Sequence, residues 1–406
     1  MTDLRNYSLV TGAYWGFTLT DGALRMLVLL HFYELGYDTV QIAFLFLLYE
    51  FCGIVTNLVG GWLASHLGLK VTLFSGLALQ IVALGALGLL DPGWPHILSV
   101  CYVMGLQALS GIAKDLTKMS SKSAIKVLVP ENADGTLFKW VALLTGSKNA
   151  LKGAGFFLGG LLLATVDFRN ALWLMAAGLL LILLATMASL PGGIGMAKKK
   201  TGFSAIFSKS REINLLAAAR LFLFGSRDIW FVVGLPVFLS ASLGWSHIQI
   251  GGFLALWVIG YGGVQALAPG LLKSGLHGGT PRGGTASVGA FSLAVLTALI
   301  ALGVMAGLSP WLTVVAGLAL FGLIFAINSS VHSYLILAYS EADQAALNVG
   351  FYYMANAAGR LVGTLLSGIV FQRAGLTGCL WTSAAFVMIA GGLSLLLPRG
   401  KGQQRA

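Results

Sequence analysis

The sequence predicts an all-α membrane protein of twelve transmembrane helices, arranged as two pseudo-symmetric six-helix halves. Three observations lead there. The 406 residues are 57% hydrophobic and only 10% charged, with a mean hydropathy of +0.86; a soluble domain is about 45–50% apolar and about 25% charged. Apolar runs recur along the whole chain, each long enough to cross a hydrocarbon layer ~30 Å thick. One such run could be a buried core helix of a soluble protein, but a dozen could not. Finally, short sequences of the first half return in the second.

The spans are expected at about 8–33, 40–64, 70–90, 97–119, 137–163, 170–190, 213–240, 247–272, 285–307, 311–338, 345–372 and 376–397. The first begins close to Met1 and is too long for the apolar core of a signal peptide, so it is expected to act as an uncleaved targeting signal. Turn-forming residues separate most of the others. They are Gly36, Asp91-Pro92-Gly93, Gly192-Gly193, the stretch GLHGGTPRGG and Ser309-Pro310.

Charge orients the spans. With the N-terminus inside, the cytoplasmic segments hold Arg5, Lys70, Lys122, Lys126, Lys198, Lys199, Lys200, Lys209, Arg211, Lys273, Arg282, Arg399, Lys401 and Arg405. The outer loops hold Arg169 and Arg373. That asymmetry places both termini in the cytoplasm. Much of the +11 net charge is thus a topology signal, and nucleic acid is not an expected partner.

The longest polar segment, GGIGMAKKKTGFSAIFSKSREIN, divides six spans from six. The expected domains are 1–191, a cytoplasmic linker 192–212, and 213–406. LGYDTVQI at 35–42 returns as LGWSHIQI at 243–250, an offset of 208. NALKGAGFFLGG from Asn149 pairs with NAAGRLVGTLLSGI from Asn356 at nearly the same offset. Two parallel six-helix repeats resemble the major facilitator superfamily. That superfamily carries a motif of roughly G-x-x-x-D-R-x-G-R-K after its second span, where this chain reads GWLASHLGLK at 61–70. Gly61, Gly68 and Lys70 agree, while Ser65, His66 and Leu69 replace the acid and two bases. Any conformational lock must therefore be built differently.

Ionisable groups at membrane depth are costly and mark function. Counted at about 1.5 Å per residue, Asp21, Lys148, Arg227, Asp228 and Arg360 fall near the midplane. Arg25 and Lys152 fall toward the outside, and Lys114, Asp115, Lys118 and Arg220 toward the cytoplasm. Lys139 lies near the start of its span and Glu50 in the second span. The spacing pairs Asp21 with Arg25, and Asp115 with Lys114 or Lys118, whereas Arg227 and Asp228 point to different helix faces and need other partners. Snorkelling or local ion pairs account for Lys118, Lys139 and Arg220, and serve Lys114 as well as ligand contact does. They serve Lys148, Arg227 and Arg360 poorly. The remaining positive charge calls for an anion from outside the chain, recognised by the Arg fork and the Lys point charge.

The expected substrate contacts are Lys148, Lys152, Arg227, Arg360, Arg25 and Lys114, with Asn149, Asn356 and Tyr352 as hydrogen-bonding groups. Asn57 and Asn328 are further polar groups at depth, more typical of helix packing. His332 is a possible carrier of protons, although an isolated histidine is more often structural. The ladder Lys114, Lys118, Lys122, Lys126 divides in two. Its last two members are topology residues, while Lys114, Asp115 and Lys118 are expected at the cytoplasmic mouth of a cavity.

Four stretches hold most of these charges: NYSLVTGAYWGFTLTDGALRMLVLLHFYELGY, IAFLFLLYEFCGIVTNLVGGWLA, ALSGIAKDLTKMSSKSAIK and GTLFKWVALLTGSKNALKGAGFFLGG. They closely resemble the ArsJ-type organoarsenical efflux permeases of the major facilitator superfamily. The resemblance implies export of 1-arseno-3-phosphoglycerate, an unstable ester made when glyceraldehyde-3-phosphate dehydrogenase uses arsenate in place of phosphate. That dehydrogenase would be the functional partner, and arsenate resistance the outcome. A transporter of ordinary phosphate esters with the same fold is the alternative. Coupling to protons would use Asp21, Asp115, Asp228 or Glu50.

Cys52, Cys101 and Cys379 lie on separate spans without motif spacing, and a pentavalent arsenate ester is a hard oxyanion with little use for thiolates. No H-E-x-x-H, G-x-S-x-G or Walker sequence is present, so neither an enzyme, a cofactor, a metal site nor ATP-driven pumping is expected.

Overall fold

The computed structural model describes residues 2–67, 69–128, 134–190, 210–275, 281–339 and 345–398. Within them, the side chains of 2–4, 7, 60–69, 119, 122–128, 134–146, 269–270, 272–275, 337 and 345–347 stand outside the description. So do Gly192-Gly193, most of GLHGGTPRGG, the linker lysines, the lysines and arginines of the tail, and the side chains of Lys122, Lys126, Lys139 and all but Lys70 of GWLASHLGLK.

The described secondary structure is helical, with no strand among the described residues. The helices run α1 (Thr2–Glu34), α2 (Thr39–Leu45), α3 (Leu47–Leu67), α4 (Leu69–Leu87), α5 (His96–Leu128), α6 (Asp134–Ser189), α7 (Arg211–Phe231), α8 (Gly234–Leu243), α9 (His247–Gly275), α10 (Gly283–Met305), α11 (Gly317–Ala338) and α12 (Ala345–Leu395). A π-helical turn, Trp311–Ala316, leads into α11 after Pro310.

Nine stretches among the described residues are long and apolar enough to cross a bilayer, as in a multi-pass membrane protein. Two of them, Ser147–Ser189 and Asn348–Leu395, are 43 and 48 residues long, about twice what one crossing needs. Each is broken once. Asp167 leaves the helix at φ 69 and ψ 174, and Gly375 at φ 62 and ψ −163. At the first break the Asp167 carboxylate caps the next helix, accepting the Asn170 backbone N–H at 2.9 Å and its side-chain amide at 2.9 Å. These breaks fall between the spans expected at 137–163 and 170–190, and at 345–372 and 376–397. α1 is 33 residues long but is not among the nine. It carries Thr11, Thr18, Thr20 and Asp21, all buried.

The span expected at 213–240 is observed as α7 and α8. Pro236 cannot donate to the carbonyl four residues back, so the helix opens before it. The Ser367 hydroxyl accepts the N–H groups of Val233 and Gly234 at 3.2 and 3.1 Å. That repair matters where no water can serve instead.

The LGYDTVQI and LGWSHIQI repeat has a physical cause. Gly36 and Gly244 both adopt left-handed backbone, with φ 85 and φ 67, and stop one helix. Two residues later a capping box starts the next. Asp38 accepts the Gln41 N–H at 2.8 Å and Gln41 accepts the Asp38 N–H at 3.0 Å. Ser246 and Gln249 repeat the exchange at 3.3 and 2.8 Å.

By contact the chain forms two compact units: Met1–Tyr37, Phe44–Phe203 and Trp245–Ile259 make one, and Asp38–Ala43, Ser204–Gly244 and Gly260–Ala406 the other. In the first unit α1 packs extensively on α6; in the second α7 packs on α12. Small residues set the approach in both. A Cβ on Gly155 would collide with the Leu19 carbonyl, and one on Gly363 would lie 2.7 Å from the Gly225 carbonyl and 2.8 Å from the Asp228 Cβ.

Gly155→Leu should therefore destabilise the protein by about 1–3 kcal/mol or more through overpacking. Gly12→Leu, on a face of α1 with nothing within 4 Å, should change little. Fluorescence-detected size exclusion after heating in detergent measures both; equal loss from the two variants would show that the seam is not tightly packed.

Candidate functional site

In the first unit the charges meet across helices. One turn apart on α1, Asp21 and Arg25 were expected to pair, and they do not. The Tyr49 hydroxyl donates to Asp21 Oδ1 at 2.6 Å, while Arg25 Nη1 meets Glu50 Oε1 at 3.1 Å. α3 presents Tyr49 and Glu50 consecutively, so each takes a different residue of α1. Glu50 is fully buried, where a carboxylate without a counter-charge is costly. The Arg25 guanidinium also lies 5.2 Å from the Phe46 ring centroid.

On α5, Asp115 has no exposed surface. Its Oδ1 accepts from Lys118 Nζ at 2.7 Å. Its Oδ2 accepts from the Thr56 hydroxyl at 2.7 Å and the Asn57 amide at 3.2 Å. Lys118 donates as well to Asn57 Oδ1 at 2.5 Å. The expected Asp115–Lys118 pair is thus part of a network tying α5 to α3, and Asn57 belongs to it. Lys114 Nζ stands 4.0 Å over the Tyr49 ring.

Lys148, Asn149 and Lys152 follow one another on α6, all half-buried. The two lysines are one turn apart and share a face. A Cβ on Gly22, next to Asp21, would lie 2.6 Å from the Lys152 carbonyl oxygen, so this part of α6 abuts the charged turn of α1.

In the second unit Asp228 is the hub. Arg227, expected to need partners elsewhere, curls back onto its neighbour. Its Nη2 lies 2.5 Å and its Nε 2.7 Å from Asp228 Oδ1. A long side chain can reach a neighbour even when the two Cβ atoms point apart. Arg360 Nε approaches Asp228 Oδ2 at 3.4 Å from α12. Two guanidiniums thus share one carboxylate.

Asn356 and Tyr352 gather around a different cation, Arg220. Arg220 Nε donates to Asn356 Oδ1 at 3.0 Å, and its guanidinium carbon lies 4.9 Å from the Tyr352 ring centroid. Sequence reading set Arg220 aside with the snorkelling side chains, yet it is only 4% exposed. The signal was available: Arg220, Phe224 and Arg227 recur at i, i+4 and i+7, one helix face. His332 is fully buried as well, and among the described residues neither ring nitrogen has a hydrogen-bond partner.

In both units the half-buried and buried cations grouped at these helix contacts outnumber the buried acids beside them. Among the described residues the first has Arg25, Lys114, Lys118, Lys148 and Lys152 against Asp21, Glu50 and Asp115; the second has Arg220, Arg227 and Arg360 against Asp228. None of these cations is exposed and all four acids are buried. Cys52 is half-buried, Cys101 exposed and Cys379 buried, on separate helices. No protein-family model matches the chain, and neither does any curated protein.

Removing one partner of a buried ion pair strands the other. Asp115→Ala should cost about 3–5 kcal/mol, and Asp115→Leu combined with Lys118→Met should recover most of it. Thermal unfolding of the purified variants checks the order; a double variant no better than the single one would show that the network is not an ion-pair clasp.

Proposed function

We propose that this chain is a secondary-active exporter with the major facilitator fold. Its substrate is 1-arseno-3-phosphoglycerate, and its export from the cytoplasm gives arsenate resistance. One observation carries the reading: among the described residues, the non-exposed cations grouped around the buried acids outnumber those acids by two in each unit, five to three and three to one. A doubly anionic ester, with arsenate at one end and phosphate at the other, supplies the missing negative charge in the form that Arg and Lys recognise. The resemblance to ArsJ-type permeases adds the identity of that ester, since the resembling stretches contain Asp21, Arg25, Glu50, Lys114, Asp115, Lys118, Lys148 and Lys152. Dividing the two long helical runs and adding α1 brings nine apolar stretches to twelve spans, the number this fold requires. The two units would exchange access by alternating between inward and outward states.

Three of the four candidate proton carriers are engaged in ion pairs: Glu50 with Arg25, Asp115 with Lys118, and Asp228 with Arg227 and Arg360. Asp21 accepts instead from a phenol. Among the described residues Asp21 is the one of these four acids outside an ion pair, and we assign coupling to it.

Everted membrane vesicles test the reading. With arsenate, triose phosphate, nicotinamide cofactor and dehydrogenase outside, arsenic should accumulate only when both dehydrogenase and permease are present. Asp21→Asn should remove the dependence on a pH gradient while leaving substrate exchange. Equal uptake of free arsenate would reject the substrate. Uptake of glycerol phosphate or phosphoglycerate without arsenate would instead favour a carrier of ordinary phosphate esters.

A further inference from the structure

Arg220 differs from the other buried cations of its unit. Arg227 and Arg360 share the carboxylate of Asp228. Every described group that Arg220 touches is uncharged. Nε donates to Asn356 Oδ1 at 3.0 Å, and Nη1 donates to the Ser329 hydroxyl at 3.0 Å and the Ser329 carbonyl at 3.2 Å. The rings of Phe224 and Tyr352 lie 3.9 and 4.9 Å from the guanidinium carbon. A guanidinium has five N–H donors. Three are committed here, and the two on Nη2 have no protein acceptor among the described residues.

Several described donors converge on one neighbouring oxygen. The Ser329 hydroxyl oxygen is approached by Arg220 Nη1, by the Tyr261 hydroxyl at 3.3 Å and by the Gln265 amide at 3.4 Å. One hydroxyl oxygen has two lone pairs, so three donors crowd an acceptor that serves two. The Ser329 carbonyl is shared as well, between Arg220 and the Ser333 hydroxyl at 2.9 Å. A cation used only to tie helices together in hydrocarbon would be expected to take a carboxylate. Among the described residues, this one has no negatively charged acceptor beside it.

We propose that Arg220, with Tyr261, Gln265 and Ser329, forms an oxyanion subsite for the phosphate or arsenate end of an organic ester. The subsite lies wholly within the second unit. It deepens the functional reading and rests on its claim that the ligand is an organic oxyanion. Arg220 supplies charge and the two N–H groups of Nη2, and the Tyr261 hydroxyl and Gln265 amide stand beside them as further donors. Asn356 and Phe224 hold the guanidinium in place.

The test uses full-length protein in neutral detergent and 3-phosphoglycerate, a stable ester with an anionic group at each end. Wild type should gain thermal stability with ligand concentration, as binding linkage requires. Arg220→Gln should abolish that gain while unfolding, without ligand, at the wild-type temperature or above, because it removes a buried charge that has no counter-charge. Arg220→Lys keeps the charge but not the fork, and should keep a reduced gain. A wild type that does not respond overturns the subsite, as does either variant responding like wild type. If Arg220→Gln does not fold, Arg220→Lys decides alone. An Arg220-dependent response to phosphatidylglycerol and not to 3-phosphoglycerate would also overturn it, by making the ligand a lipid headgroup. The vesicle assay separates the two readings. Arsenic accumulation at the wild-type rate by Arg220→Gln would sink the subsite and leave the function. Failure of arsenic accumulation beside an Arg220-dependent response to 3-phosphoglycerate would do the reverse.

Discussion

A charge in hydrocarbon persists only when an opposite charge or a set of hydrogen bonds replaces the water it has lost. The internal polar structure of this protein follows from that constraint. Arg25 finds Glu50, Lys118 finds Asp115, and Arg227 and Arg360 divide Asp228. The four buried acids are too few for the eight cations around them. The count is of the described residues, and the proposed anionic ligand is the reading that would balance it.

The helix seams make those encounters possible. Salt bridges of about 3 Å between helices require backbones that approach closely, and small residues permit it. Gly22 and Gly155 bring the turn of α1 that carries Asp21 against α6, and Gly225, Gly359 and Gly363 do the same for α7 and α12 beside Asp228. The Ser367 hydroxyl satisfies the backbone where Pro236 opens α7 from α8. Packing, backbone repair and charge pairing are thus concentrated on the same helices.

Local features were readable from the chain. Apolar runs gave the membrane class, and left-handed glycine followed by D-x-x-Q or S-x-x-Q gave both repeated turns. Asp167 and Gly375 break helices between spans whose limits hydropathy had already separated. Partner choice was less readable. Arg25 and Glu50 are 25 residues apart on different helices, and no i,i+4 rule relates them. Arg227 and Asp228 were separated by helix-face geometry, which overlooks the reach of a guanidinium on three methylenes. Arg220 was discounted for its depth, though its spacing from Arg227 already placed the two on one face.

The proposed role of these mostly half-buried cations is to meet a negatively charged ligand. Calorimetric titration of the purified protein with glycerol, glycerol 3-phosphate and 3-phosphoglycerate tests it most directly, because the series adds one anionic group at a time to a three-carbon frame. The account predicts no binding of glycerol, measurable binding of glycerol 3-phosphate and the tightest binding of 3-phosphoglycerate. Binding that is the same for all three, or absent for both anions, would contradict it.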